Sequence, residues 1–416
     1  MRIAALAGLL LAACGGDAGE ADDLCRAERL VDPVDLGVWT VGVQVPDDAD
    51  GSVHADVRWP DVGDEPQAGW PIALVLHGAW DPAGTPIDRG SMRVDVTAGL
   101  VDIHLDLPGN GRTSGTNDRR GAASRAAVAA VLRWAAGEAL DTGGCSLADR
   151  IPGGDPDRLY VVGTSNGGNL AMATLADPAL DLPPVAGLVA WETPAGPQFT
   201  NVELGATPSV YTPGSCAFAP ASGTTCEMPV ERLIEVGGGT PTLCFDVDED
   251  AACGERDVTV RGVEDLDTGL MMLSPTLRAA ADERGLTLPG YASVETSVAW
   301  WAERDGSRLA APLVAAQADL PVMLLASEAD HVQTLADHPH IYGLGEALQA
   351  AGAAWTRLNP GADWLGETTG ENAPNMPLQL ADPRGSLLSE AAEEPTVTLL
   401  AAAVLELSDR SQTGDW

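Results

Sequence analysis

The amino-acid sequence predicts a doubly wound, mostly parallel α/β fold interrupted by an inserted, disulfide-containing cap. Three observations carry that expectation. Continuous apolar runs such as Ile72-Ala73-Leu74-Val75-Leu76 and Leu159-Tyr160-Val161-Val162 have the character of strands buried on both faces. They alternate with stretches whose apolar residues recur at helical spacing, Ala122 to Leu140 being the longest. From 193 to about 315 this rhythm stops, and Gly, Pro, Thr and acidic residues take over together with Cys216, Cys226, Cys244 and Cys253.

In chain order, Met1-Arg2 and the apolar run over residues 3–14 read as an export signal, too short to span a bilayer as a mature helix. The run ends Leu11-Ala12-Ala13-Cys14-Gly15, which resembles the lipobox of bacterial lipoproteins, and the resemblance implies acylation of Cys14 and a lipid anchor in a membrane. Residues 15–34 read as an acidic tether. Leu36 to Pro46 and Val53 to Pro60 alternate like an antiparallel opening, and Trp70 to Leu76 is a central strand ending in His77-Gly78. Val101 to Leu107, Asp157 to Gly163, Val185 to Trp191 and Leu320 to Ala326 complete the central strands. Helices are expected over Asn166 to Ala176, His340 to Ala351 and about Pro395 to Leu407, with a strand at Ala354 to Leu358. The expected organisation is a signal segment at 1–14, the tether, a core of 35–192 and 316–416, and the cap at 193–315.

The chain has 416 residues, with 61 acidic side chains against 23 basic ones and a formal net charge of −38. Every base is Arg. Such a balance rules out nucleic-acid binding through phosphate contacts and disfavours adhesion to anionic lipid through a basic patch. Apart from Cys14, Cys25, Cys145, Cys216, Cys226, Cys244 and Cys253 make an even set in an exported chain, as disulfides require. Of the possible pairings, Cys216 with Cys226 and Cys244 with Cys253 close the shortest loops and leave Cys25 for Cys145.

Gly163-Thr164-Ser165-Asn166-Gly167-Gly168 is a G-x-S-x-G immediately after a buried strand and before a helix. Small residues flank the serine because the turn is too tight for a Cβ, and the turn lifts Ser165 Oγ above the sheet edge. The helix that follows aims its first amides, that of Asn166 included, at the same place.

With His77-Gly78, Asp106-Leu107-Pro108-Gly109, Asp155-Pro156-Asp157-Arg158 and Ala329-Asp330, this motif resembles the α/β-hydrolase superfamily, in its dienelactone-hydrolase and prolyl-oligopeptidase branch, over essentially the whole mature chain. The resemblance implies an α/β-hydrolase sheet with the cap between its sixth and seventh strands, Ser165 as nucleophile and Asp330 as triad acid. It also implies an oxyanion site from the amides of Asn166 and of Ala79 or Trp80. His77 is expected to be structural, and Glu192 is a reserve acid.

The base departs from the pattern. The loop after the last strand, Leu358 to Leu365, has no histidine, and none follows His340. Of His54, His77, His104, His331, His338 and His340, the pair in Asp337-His338-Pro339-His340 keeps the chain order Ser, Asp, His and supplies the candidates. The same segment has metal-ligand chemistry, but Pro339 argues against paired imidazoles on a strand, and no metal is expected. Asp246, Asp248, Asp250 and Asp257 imitate a calcium loop, with Ala251 where the turn glycine should be, and are read as chance in so acidic a chain. Trp191, Trp300 and Trp301 are candidates for pocket walls, although such side chains are more often simply core.

The function expected is that of an exported, membrane-anchored serine hydrolase, periplasmic or at the outer membrane or cell surface, needing no cofactor and cleaving a small-molecule ester, or less favourably a peptide. The alternative is a catalytically silent hydrolase fold kept as a binding or interaction lipoprotein.

Overall fold

The computed structural model describes residues 25, 30–31, 38–47, 51–61, 69–78, 94–151, 153–202, 210–237, 242–327, 330, 332, 338–361 and 397–416. Cys14, Ala79, Trp80, His331 and Asp337 lie outside the described residues. In chain order the first strands are β1 (Leu30–Val31), β2 (Val38–Pro46), β3 (Ser52–Pro60), β4 (Trp70–Leu76), β5 (Val101–Leu105), β6 (Gly154–Thr164) and β7 (Gly187–Trp191). The insertion then holds short strands: β8 (Ala217–Ala219), β9 (Gly223–Thr225), β10 (Leu233–Val236), β11 (Thr242–Phe245), β12 (Val258–Val260), β13 (Val263–Asp265) and β14 (Leu270–Met272). After it come β15 (Pro321–Leu325) and β16 (Trp355–Leu358).

Nine strands form one sheet in the order β1-β2-β3-β5-β4-β6-β7-β15-β16. β1, β2 and β3 pair antiparallel, as does β3 with β5, and every pairing from β5 to β16 is parallel. This is a doubly wound, mostly parallel α/β sheet. Every residue of β4, β5 and β15 is buried, which is why those segments read as runs rather than alternations.

Helices cover both faces. On one side pack α1 (Ala122–Ala135), α3 (Asn166–Leu175), α7 (Gly306–Ala316) and α8 (Pro339–Ala351), contributing Val128, Leu132, Leu170, Leu313 and Leu344 to the larger core. A short α2 (Leu147–Arg150) follows α1 in the chain. On the other face Leu400, Val404 and Leu407 of α9 (Val397–Thr413) close over Val75, Val162, Val189 and Met323. The final helix begins near the expected residue but runs past Leu407 to Thr413, held by Glu406, which binds Arg357 of β16 and, at 2.8 Å, Arg410 one turn on.

The insertion has its own apolar cluster, formed by Leu233, Leu243, Phe245 and Val258 with Leu277 of α5 (Pro275–Glu283). It also carries α4 (Pro197–Asn201) and α6 (Val294–Ala302). Trp300 and Trp301 form an edge-to-face pair with centroids 4.8 Å apart. Trp301 donates its indole N–H to the Leu273 carbonyl, so these two side chains belong to the packing of the insertion rather than to a pocket wall. Helix α7 crosses the expected limit at residue 315 and packs on α3 and α8, carrying Pro312 on its exposed side.

All three disulfides follow the pairing of shortest closures: Cys25–Cys145, Cys216–Cys226 and Cys244–Cys253. Among the described residues no helix is long and apolar enough to cross a membrane.

Candidate active site

The strand order reverses between β4 and β6. From β4 the chain moves outward to β5, and from β6 it moves the other way to β7, β15 and β16. Beyond the carboxyl ends of the strands at such a switch point lies the crevice where open α/β sheets bind ligands. The parallel register sets Leu76 beside Gly163, Thr164 beside Trp191, and Trp191 beside Leu325. The residues just past those ends are therefore neighbours: His77-Gly78, Ser165, Glu192, and Ser327 with Asp330.

Ser165 joins β6 directly to α3 with φ 50° and ψ −126°. A non-glycine residue rarely holds a positive φ, and one that does costs of order 1–3 kcal/mol that the surroundings must impose. They do so by close approach. A Cβ on Gly163 would fall 2.5 Å from the Gly168 Cα, one on Gly167 would overlap the Leu76 carbonyl, and one on Gly168 would overlap Thr193 Oγ1. Gly78 is crowded against the serine itself: a Cβ there would lie 2.7 Å from Ser165 Cβ and 3.3 Å from Oγ. The Ser165 N–H binds the Trp191 carbonyl at 2.8 Å, tying the turn to the next strand. Asn166 is the first residue of α3, where an amide has no carbonyl within its own helix.

The candidate acid and one imidazole meet just after the insertion, ten positions apart. Asp330 is fully buried; Oδ1 accepts the Val332 amide at 2.6 Å, and Oδ2 accepts His340 Nε2–H at 2.7 Å. Because a carboxylate only accepts, the proton of a neutral His340 belongs on Nε2, leaving Nδ1 as the basic nitrogen. That Nδ1 is buried and has no hydrogen-bond partner among the described residues. The His340 ring sits on Phe199 of α4, centroids 5.9 Å apart, so the insertion supplies one wall of the imidazole's setting. His340 makes no hydrogen bond to Ser165 in this state. His338, at φ 35°, starts α8 and accepts the Ile341 and Tyr342 amides on its carbonyl.

The remaining candidates sort by contact. Glu192 is buried at φ 40°, accepts Ser327 Oγ–H at 3.0 Å and donates its own amide to the Leu325 carbonyl, pinning the end of β7 to β15. His77 donates Nδ1–H to the Gly78 carbonyl at 2.9 Å. Burial, assisted by the nearby Arg120 cation, lowers its pKa to about 4, so it is neutral at physiological pH, as suits a structural residue. His54 and His104 lie on β3 and β5 beside Asp56 and Asp102. The four aspartates of the calcium-like loop do gather within 4.8 Å of one another. Asp246 and Asp257 there accept the loop's own amides, from Asp250, Ala251, Val247 and Gly254.

Two buried groups near the site carry no motif. Asp305 accepts the Gly196 amide at 2.7 Å together with the Ser307 amide and hydroxyl, and burial raises its pKa to about 6. Arg120 donates to the His77 and Gly78 carbonyls at 3.1 and 2.8 Å. The one trace of it in the sequence is the doublet Arg119-Arg120 before the Ala-rich helix, in a chain poor in bases.

No protein-family profile matches the chain, and no curated protein matches it in sequence. Among solved structures it is similar to the esterase Est22, at 12% identity over 91% of this chain and 79% of that one, with a TM-score of 0.46. It is similar to a carboxyl esterase 2 from the mycorrhizal fungus Tuber melanosporum at 13% identity, over 90% and 89% of the two chains, with a TM-score of 0.41. It is also similar to a bacterial heroin esterase at 17% identity, over 77% and 74%, with a TM-score of 0.40.

Proposed function

We propose that the protein is a serine hydrolase that cleaves a small-molecule ester through an acyl-Ser165 intermediate, with His340 as base and Asp330 as its orienting acid. The observation that carries this is Ser165 itself, a serine held at positive φ between glycines that admit no Cβ, at the switch point of the sheet. The Asp330–His340 pair supplies the other half in the chain order Ser, Asp, His. An unpartnered buried imidazole nitrogen asks for an explanation, and a base awaiting its proton is one. Without substrate, catalytic hydrogen bonds are often long or unmade, so the unmade Ser165–His340 bond is compatible with that role.

In the proposed reaction Ser165 Oγ attacks the ester carbonyl while its proton passes to His340 Nδ1. The carbonyl π electrons move to oxygen, and the resulting oxyanion is met by the Asn166 amide at the start of α3. Collapse expels the alkoxide, which leaves as an alcohol with the proton from His340. Water, deprotonated by the same nitrogen, then attacks the acyl carbonyl, and collapse releases the carboxylic acid while Ser165 Oγ takes the proton back from His340. Asp330 stays ionised and holds Nε2–H throughout.

Ester turnover measured on a short-chain aryl ester tests this reading: Ser165→Ala should lower it by at least ~10³-fold, and turnover close to that of the intact protein refutes it. The absence of a hydrogen bond between His340 and Ser165 favours one other reading, a silent fold that binds without cleaving, and a protein inert toward both esters and fluorophosphonates would establish it.

We further propose export and anchoring through lipid on Cys14, supported by the signal-like residues 1–14 and by three disulfides, which persist in oxidising compartments. Cys14→Ser should move the protein from the membrane fraction to the soluble one; unchanged fractionation would refute the anchor.

A further inference from the structure

We infer that Arg120 is a positioning residue for the backbone beside Ser165, and that it is braced from the insertion by Arg304. This inference rests on the serine-hydrolase reading of the elbow. Arg120 is buried, and its guanidinium forks onto two successive carbonyls, Nη1 to His77 at 3.1 Å and Nη2 to Gly78 at 2.8 Å. Those carbonyls belong to the segment that follows β4 and lies against Ser165 Cβ. A peptide unit is planar and trans, so a grip on its carbonyl also sets the direction of the N–H on its far side. A cation on the carbonyl also polarises the unit and makes that N–H a stronger donor. The Gly78 amide belongs to the unit whose carbonyl is that of His77, so Arg120 orients the chain at the point where negative charge would develop.

The segment that delivers Arg120 is strained. Arg119 and Arg120 have φ values of 53° and 65°, two successive non-glycine residues in the left-handed region. Such geometry persists only where neighbours over-determine it. On one side Asp118 accepts the amides of Ala123 and Ser124 and caps α1. On the other side Arg304, just past α6, donates Nε–H to the Arg119 carbonyl at 3.0 Å and Nη2–H to the Asp118 carbonyl at 3.5 Å. Arg304 is itself held over the Trp300 ring, 4.2 Å from the centroid, and on the Trp300 carbonyl. Contacts thus run without a gap from the insertion's tryptophan pair through Arg304 and the 118–120 strap to the backbone beside Ser165. None of these groups touches the reacting atoms; Arg120 acts through the His77-Gly78 carbonyls.

The test is kinetic. In Arg120→Lys the ammonium is a point charge and cannot fork onto two carbonyls. Misplacing the oxyanion side of the site should lower kcat by about 10²-fold while KM changes little. The rate of Ser165 labelling by a fluorophosphonate should fall with kcat, and hydrogen exchange at the Gly78 amide should rise. In Arg120→Ala, added guanidinium should restore part of the lost rate, which a merely unfolded protein would not show. Arg133→Lys, which alters a grip on the distant Leu180 carbonyl at 2.9 Å, should keep kcat. If intact protein labels at Ser165 and Arg120→Lys matches it in kcat and labelling rate, the Arg120 inference is wrong while the serine reading stands. If intact protein never labels, the serine reading falls and takes the positioning role with it.

Discussion

The two halves of the candidate site are built differently. The candidate nucleophile stands on a joint between one strand and one helix, and its geometry is set chiefly by the short run Gly163 to Gly168 and the strand ends it packs against. The candidate acid and base, Asp330 and His340, stand on the return of the chain after a long insertion, and their meeting depends on where α4, α8 and the end of β15 come to rest. A nucleophile can be fixed by local backbone rules, whereas a base has to be placed by tertiary packing.

The strongest way to break that contrast is at the elbow. Ser165→Ala should lower ester turnover by at least ~10³-fold, leaving what binding and the oxyanion site alone supply. Gly167→Ala, whose methyl would meet the Leu76 carbonyl, should remove the activity and also destabilise the fold by about 3 kcal/mol or more, read as a lower denaturant midpoint.

The base half should respond in activity rather than in fold. His340→Gln should cost ~10²- to 10⁴-fold in kcat, the range of a general base, whereas His54→Ala on β3 should leave kcat nearly unchanged. Equal effects from the two would remove His340 from the mechanism, and a larger loss from His338→Ala would transfer the role to that residue.

Smaller effects test how the halves are held. The Cys25–Cys145 bridge spans a sequence separation of 120 and the Cys244–Cys253 bridge one of 9. Closing the longer loop removes more unfolded-chain entropy, so Cys25→Ala with Cys145→Ala should cost about 2 kcal/mol more stability than the corresponding change at Cys244 and Cys253. Matching losses by denaturant unfolding would contradict this.

Asp305 gives the finest test. Its folded pKa, raised to about 6, lies above its ordinary value of 3.8. The native state therefore binds the proton more tightly than the unfolded chain, and stability falls as pH rises from about 4 to about 6. Asp305→Asn should flatten that fall relative to the unaltered protein, and an identical pH slope in the two would show that Asp305 does not titrate there.

What could be read from the sequence follows the same division. Buried parallel strands announce themselves as apolar runs, so β4, β6, β7 and β15 were legible to within a few residues, and so was the elbow, because its glycines are spaced by steric necessity. The half-turn that puts Gly196 on Asp305, or Arg120 on two carbonyls, leaves no pattern, since the partners are 109, 43 and 42 positions apart. The pairing of Asp330 with one imidazole of a His-Pro-His segment was legible as a choice between two, which the start of α8 at Pro339 resolves by facing His340 to the carboxylate. Trp300 and Trp301 left two readings open, because a large apolar side chain looks alike in a pocket and in a packed insertion; the Leu273 carbonyl that receives Trp301 settles these two for the packing.

The central claim, that a hydroxyl held at a strained turn is activated by the Asp330–His340 pair, is tested most directly by following the covalent mass added by an alkyl fluorophosphonate to the intact protein and to His340→Gln. A single adduct mapped to Ser165, forming at least ~10²-fold faster in the intact protein than in the variant, is the expected result. An adduct at another residue, no adduct at all, or the same rate in both proteins would contradict it.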